Sequence, residues 1–226
     1  LKSDQEFKSD LIQGKFRSLT EKGPLLTTSW HQRAPYNNFC PRGDTTCITC
    51  PSGKPPTIPT VVGCVATATA QILRYWNRPA SGTGSHSYLW YGDYSCDGSS
   101  PSQNLYADYS DPYDWQNMPD SCDFGCAPED TAALAELCYE VGVAFEMGYG
   151  VCGSGAYTGD AAYVFPTYFG YDPSINIVDR YNYSTPAEWF AVIQDEINQG
   201  RPMQYRIRSH SIVCDGWRDT GGQNQY

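Results

Sequence analysis

Apolar positions recur at helical spacing in four stretches of the 226-residue chain. In the run Cys64–Trp76, the residues Val65, Ala68, Thr69, Ile72 and Trp76 fall on one helical face, and Pro79 closes the pattern. The alanines between them make this a slim helix, one that can be buried on nearly all sides, starting near Gly63-Cys64. A second helix is predicted from about Glu129 to Val141, with Leu134, Leu137, Cys138 and Val141 inward and Gly142 as its stop. A third, about Asp160 to Phe169, must tolerate Pro166 and is therefore short or kinked. The fourth has the clearest ends. Thr185 can cap it, Pro186 sits at the first helical position and Glu188 completes a capping box. Trp189, Ile193 and Ile197 line its inner face, and Gly200 stops it.

Period-two alternation is weaker. Ile175, Ile177 and Asp179 predict a strand. Met203, Tyr205 and Ile207 alternate, as do His210, Ile212 and Cys214, which predicts two neighbouring strands near Pro202–Ile207 and Ser209–Trp217. Trp30–Val62 and Pro79–Pro128 carry no clear period and read as loops, and Gly148–Gly159 is glycine-rich. Residues Leu1–Lys22 are polar and charged, and read as the tail of a pro-segment or a linker. The compact domain is expected from Gly23-Pro24 onward, over residues 23–226. No internal repeat is visible.

Composition narrows the class. A hydrophobic fraction of 40% is enough for a sizeable core, which excludes overall disorder, and no apolar run is long enough to span a membrane. With 15 basic and 25 acidic residues the net charge is −10, which disfavours nucleic acid as a partner. Ten cysteines point to an oxidising compartment and thus to a secreted protein. Cys40, Cys47, Cys50, Cys96, Cys122, Cys126 and Cys152 lie in loops and suit disulfides, whereas Cys138 and Cys214 lie on inward faces and suit burial as free thiols.

The chemistry can be searched by elimination. No H-E-x-x-H, G-x-S-x-G or P-loop string occurs. Gly148–Gly153 matches G-x-G-x-x-G, but it runs into more glycine instead of opening a helix, so a dinucleotide site is not expected. The histidines are His31, His86 and His210. Only His210 stands inside a predicted strand, where it is either a rigidly held general base or a structural histidine. Cys64 opens a predicted helix. There the macrodipole and unpaired amides favour a thiolate, and the same amides can face a developing oxyanion. Cys64 is thus a candidate nucleophile, with a disulfide partner as the other reading. His210 follows Cys64 by 146 positions, within the range of about 130–150 residues that separates nucleophile from base in papain-like enzymes, although the local papain signature is absent.

These residues carry a resemblance. Gly63-Cys64-Val65-Ala66-Thr67-Ala68-Thr69-Ala70-Gln71-Ile72 resembles the nucleophile segment of the streptopain family of bacterial secreted cysteine peptidases. Trp30-His31-Gln32-Arg33-Ala34-Pro35-Tyr36-Asn37 resembles the upstream segment of that family. His210-Ser211-Ile212-Val213-Cys214-Asp215-Gly216-Trp217 resembles its base strand, and Tyr149-Gly150 with Gly153-Ser154-Gly155-Ala156 its substrate-side loop.

The resemblance implies an α+β, papain-like fold of two lobes, one helical around the nucleophile helix and one an antiparallel sheet. It implies a secreted bacterial endopeptidase, made as a zymogen, acting on protein or peptide substrates without cofactor or metal. Cys64 would be the nucleophile, His210 the base and Gln32 the side-chain donor of the oxyanion hole. Ser154, Gly155, Ala156 and Ser209 would contact substrate. Ser209 stands where the family has glycine, with Arg206 and Arg208 nearby, which would narrow or charge the cleft. The family continues past its base strand into a segment that orients the histidine, and this chain ends at Tyr226. A companion fragment, released by self-cleavage near Gly221-Gly222-Gln223, is the favoured expectation. A truncated chain and an inactive protein are the others. Two rival readings remain: a disulfide-stapled binding protein that grips its target through Tyr88-Leu89-Trp90-Tyr91, and a zinc site at Cys40, Cys47 and Cys50.

Overall fold

The computed structural model describes residues 20–44, 57–92, 102–220 and 224–226. The expected pro-segment tail, apart from its last three residues, lies outside the described residues, as do Cys47, Cys50, Cys96 and the expected cleavage site at Gly221-Gly222-Gln223. Two compact units are present.

The larger unit comprises Thr27–Ile177 and Gln204–Val213. At its centre is helix α1, Cys64–Trp76, whose Val65, Ala66, Thr67, Ala68, Thr69, Ala70, Ile72 and Leu73 are buried. Small side chains allow this burial on nearly every side, since neighbouring elements can approach the helix axis closely. Helix α2, Pro128–Ala144, packs on α1, and its Leu134, Leu137, Cys138 and Val141 are fully buried. It runs past Gly142 rather than stopping there. Gly142 serves packing instead: a Cβ at that position would overlap the Tyr149 phenol. A short helix, α3, spans Ala161–Phe169 with Pro166 inside it and Gly170, in the left-handed conformation, closing it.

Two strand pairs were not legible in the periodicity. Strands β2 (Arg42–Asp44) and β3 (Thr57–Pro59) pair antiparallel. Strands β4 (Ser85–Trp90) and β5 (Gln103–Asp108) pair with Ser85 opposite Asp108 and Trp90 opposite Gln103. The stretch Pro79–Pro128 is thus partly sheet, its inner face made by Trp90, Leu105 and Ala107. Strands β6 (Met203–Ile207) and β7 (His210–Cys214) form the expected hairpin.

The smaller unit includes Val178–Met203, Cys214–Tyr226 and the chain up to Leu26. Its helix α4, Pro186–Asn198, has the predicted capping box: the Glu188 amide donates to the Thr185 hydroxyl, and the Thr185 amide donates to the Glu188 carboxylate. Trp189, Phe190, Ile193 and Ile197 are its buried residues. Strands β1 (Thr20–Lys22), β8 (Trp217–Asp219) and β9 (Asn224–Gln225) form an antiparallel sheet in the order β1-β8-β9. Glu21 stands opposite Arg218 and accepts its Nε–H at 2.7 Å. The strand expected over Ile175–Asp179 is absent from the structure: Ile177 and Val178 are exposed, and the Asp179 carboxylate caps a one-turn helix by accepting from the Tyr181 amide.

Candidate active site

Cys64, Gln32, His210, Ser154, Gly155, Ala156 and Ser209 all belong to the larger unit. The segment before Cys64 gathers three of the elements. The Val62 amide donates to the Gln32 carbonyl at 3.0 Å, two residues before Cys64. The Val61 amide donates to the Gly150 carbonyl at 3.0 Å, while the Ser154 hydroxyl donates to the Val61 carbonyl at 2.6 Å. Ser154 also accepts from the Gly150 amide, and Gly148 and Gly155 exchange backbone bonds. The glycine-rich loop is therefore a braced hairpin against the helix start, with Ala156 packed on the core.

Gly63 makes the turn into α1 possible. Its φ is +90°, and a Cβ there would lie 2.7 Å from the Met147 sulfur and 3.2 Å from the Ser154 Cβ. A residue with a side chain fits neither the backbone conformation nor the space. Cys64 follows as the first residue of the helix, a free thiol of intermediate exposure. The other free thiols among the described residues, Cys40, Cys138 and Cys214, are buried. Burial pushes the Cys40 thiol up to about 12 and the Cys214 thiol up to about 11, and raises Cys138 as well. Cys40, expected in a disulfide, is thus a buried free thiol. Cys122 and Cys126 are bridged, and Cys152 is also disulfide-bonded.

The Gln32 segment is held along its length. The Trp30 amide donates to the Gln71 side chain on α1, its indole N–H donates to the Pro119 carbonyl, and the Ser29 amide donates to the Asp120 carbonyl. Tyr36, fully buried, accepts from the Cys122 amide through its phenol oxygen. The bridge from Cys122 to Cys126 therefore staples the loop against which the Gln32 segment rests.

The histidines separate by their partners. His31 accepts from the Arg33 amide and lies 3.5 Å from the Asp123 carboxylate. His86 pairs with Glu146 at 3.0 Å. His210 is exposed at the first position of β7, and among the described residues its ring makes no hydrogen bond or ion pair; the Cys64 thiol makes none either. The alternation expected for β7 put His210, Ile212 and Cys214 on an inner face. Cys214 is buried, but Ser211 is the other buried residue of the strand.

Ser211 is buried because its hydroxyl has a partner. The Gln204 side-chain amide donates to the Ser211 hydroxyl at 3.1 Å and to the Val65 carbonyl at 3.2 Å, and its oxygen accepts from the Thr69 hydroxyl at 2.9 Å. Sequence reading passed over Gln204. The available signal was a polar residue between Met203 and Tyr205, with Thr69 among alanines and Ser211 in a base strand as candidate partners.

Ser209 closes the hairpin between β6 and β7 with φ +57°, a left-handed conformation that suits the glycine of the resembled family better than serine. On β6, the Arg206 guanidinium stands over the Tyr157 ring at 5.6 Å from its centroid, next to the Ser154–Ala156 loop.

The rival sites divide differently. Of the aromatic run, Trp90 is buried with its indole N–H on the Tyr149 carbonyl, and the Tyr88 phenol donates to the Met147 carbonyl, while Leu89 and Tyr91 are exposed. A shallow cleft of about 410 Å³ lies there, lined by Tyr88–Gly92 and Glu146–Tyr149 and by none of Cys64, Gln32 or His210. No metal-binding cluster occurs among the described residues, and two of the three cysteines of the zinc reading fall outside them. No described helix is long and apolar enough to cross a membrane.

Known proteins share this fold. The structure superposes on a fragment of prointerpain A from Prevotella intermedia with a TM-score of 0.72 and 30% identity, covering 96% of this chain and 71% of that one. Active interpain A cysteine protease of the same organism gives a TM-score of 0.68 and 31% identity over 88% of this chain and 76% of that one. The fold is therefore the α+β, papain-like one. In sequence the chain is 30% identical to streptopain of Streptococcus pyogenes over 173 residues, 73% of this chain and 41% of streptopain. It is 27% identical to the thiol protease/hemagglutinin PrtT of Porphyromonas gingivalis over 202 residues, 88% of this chain and 21% of PrtT. The chain thus spans less than half the length of these two relatives. The characteristic sequence of the Peptidase C10 family matches it from residue 30 to residue 226, and the chain belongs to that family.

Proposed function

We propose that this chain is the catalytic domain of a secreted bacterial cysteine endopeptidase, made as a zymogen and acting on protein or peptide substrates. The observation that carries the reading is the setting of Cys64: among the described free thiols it alone escapes burial, and it opens a buried helix. Its sulfur is the nucleophile that cysteine catalysis needs, and the helix-start amides beside it can face a developing oxyanion.

In this mechanism the Cys64 sulfur adds to the scissile carbonyl. The oxyanion that forms accepts from the Cys64 backbone amide and the Gln32 side chain, two donors brought together by the Val62–Gln32 backbone bond. His210 takes the thiol proton and returns it to the leaving amine as the tetrahedral species collapses to an acyl-enzyme. Water, deprotonated by His210, then releases the acid and restores the thiol. His210 suits this role because it is the histidine left without a carboxylate among the described residues, His31 and His86 being paired. Ser154, Gly155, Ala156 and Ser209 align the substrate backbone. The relatives named thiol protease and cysteine protease support the activity. The Cys122–Cys126 bridge and the bacterial sources of those relatives support secretion from a bacterium.

The test is hydrolysis of a denatured protein substrate by the purified protein and by Cys64→Ala and His210→Ala. Loss of at least 1000-fold in kcat/KM for either variant is expected. Wild-type rates in Cys64→Ala would end the proposal.

A further inference from the structure

Cys64 and His210 stand on different elements, α1 and β7, and each is immediately followed by a residue that binds the same side chain. Val65, next to Cys64, offers its carbonyl to Gln204, and Ser211, next to His210, offers its hydroxyl. Thr69, one helical turn beyond Val65 on the same face, donates to the Gln204 oxygen. Both amide hydrogens and the amide oxygen of Gln204 are thus engaged. Val65, Thr69 and Ser211 are all nearly or fully buried, so water does not compete for these bonds.

We propose that Gln204 is a positioning residue, whose amide clamps the first turn of α1 to the start of β7 and so fixes the approach of the His210 ring to the Cys64 sulfur. The inference rests on the nucleophile–base reading given above and adds a residue to it. Neither Cys64 nor His210 has a hydrogen-bonding anchor of its own among the described residues, so their separation depends on what holds their backbones. No other side chain among the described residues is hydrogen-bonded both to the residue after Cys64 and to the residue after His210. A chemically specific bridge suits the task better than apolar packing alone. Three directed bonds fix both register and distance, whereas apolar contacts tolerate sliding.

The consequence is a Cys64 sulfur whose reactivity at acid pH depends on Gln204. The His210 ring, held near the sulfur, takes the thiol proton as the sulfur attacks. When the clamp is cut, the pair separates and that help is lost, whereas at high pH hydroxide suffices to remove the proton. Gln204→Met retains length and removes all three bonds. Ser211→Ala removes only the strand-side bond, with a minimal change of volume.

The experiment is the rate of Cys64 carbamidomethylation by iodoacetamide, followed from pH 5 to pH 9.5 with peptide mapping in the full chain. Wild type should label rapidly at pH 5.5, and His210→Ala should slow this at least 10-fold. Gln204→Met should also label at least 10-fold more slowly at pH 5.5, and Ser211→Ala at least 3-fold, with both within about 2-fold of wild type at pH 9.5. Cys138, fully buried, serves as the folding control: it stays unlabelled in a folded variant. If Gln204→Met exposes Cys138, the decision rests on Ser211→Ala. Rapid His210-dependent labelling that survives unchanged in the folded variants overturns the clamp and leaves the nucleophile–base reading standing. Wild-type labelling at pH 5.5 that ignores His210→Ala overturns the pairing, and the clamp with it.

Discussion

Met147 occupies the space where a side chain on Gly63 would have to go, its sulfur 2.7 Å from the Cβ that an alanine would carry. Gly63 also has φ +90°, so Gly63→Ala incurs backbone strain as well as steric overlap. A loss of roughly 2–4 kcal/mol in unfolding free energy is expected, read from urea denaturation. Met147 precedes the glycine-rich hairpin that Ser154 ties to Val61, so the displacement should reach the loop proposed to align the substrate. Activity of the folded fraction should fall with it.

Ser209 presents the opposite case. With φ +57° it adopts the conformation that glycine takes without strain. Ser209→Gly should be neutral or raise stability by about 0.5 kcal/mol, the relief of strain being offset by the greater freedom of glycine in the unfolded chain. Ser209→Val, β-branched at a positive φ, should lower it by about 1–2 kcal/mol. Thermal unfolding of the three proteins distinguishes these outcomes.

The Tyr113 phenol donates to the Glu140 carboxyl at 2.6 Å in the interior of the larger unit. Burial, with Glu136, Asp111 and Asp108 in the surroundings, pushes Glu140 up to about 8, against the lowering effect of the Tyr113 bond. The folded protein therefore holds a proton that the unfolded chain releases near the ordinary glutamate value of about 4.3. Stability from this group is full below that value, declines as pH rises through the interval, and levels off above pH 8. Glu140→Gln, neutral at every pH, should flatten this decline, gaining roughly 2–4 kcal/mol on wild type between pH 5 and pH 9 in urea titrations. A parallel pH dependence in both proteins would show that Glu140 does not carry it.

Gln32 offers a sharper functional test than stability. Its side chain is proposed to meet the oxyanion, whereas its carbonyl accepts from Val62 whatever the side chain is. Gln32→Ala should lower kcat by about 100–1000-fold with KM changed little, in steady-state hydrolysis of a peptide substrate. A change confined to KM would place Gln32 in substrate binding instead.

What could be read in the sequence was what is local. The capping box of α4 needs only Thr185, Pro186 and Glu188, three positions apart at most, and it forms as predicted. Helix α1 was legible for the same reason, in its helical period and its alanines. The β4–β5 pair was not, because its strands lie far apart in sequence for a hairpin, and more than half of their positions are polar or exposed. Ile175–Asp179 alternates but has no strand beside it, and the Asp179 carboxylate is engaged at a helix start instead. Cys40 resembled the other loop cysteines until the fold buried it. Of the candidate site, the residue types of Cys64, His210 and Gln32 stood out by local pattern and family resemblance. Gln204 could not, since its meaning lies in Val65, 139 positions away, and in Ser211, across a hairpin.

Selective alkylation tests the central claim most directly. The described free thiols are Cys40, Cys64, Cys138 and Cys214; burial raises the Cys40, Cys138 and Cys214 thiols, and Cys64 is the one of intermediate exposure. One equivalent of a peptidyl epoxide at pH 6 should therefore modify Cys64 alone, as located by peptide mapping, and abolish hydrolysis of a protein substrate in proportion to the label incorporated. Label spread evenly over the four thiols, or full activity in protein modified completely at Cys64, would contradict the assignment of Cys64 as the nucleophile.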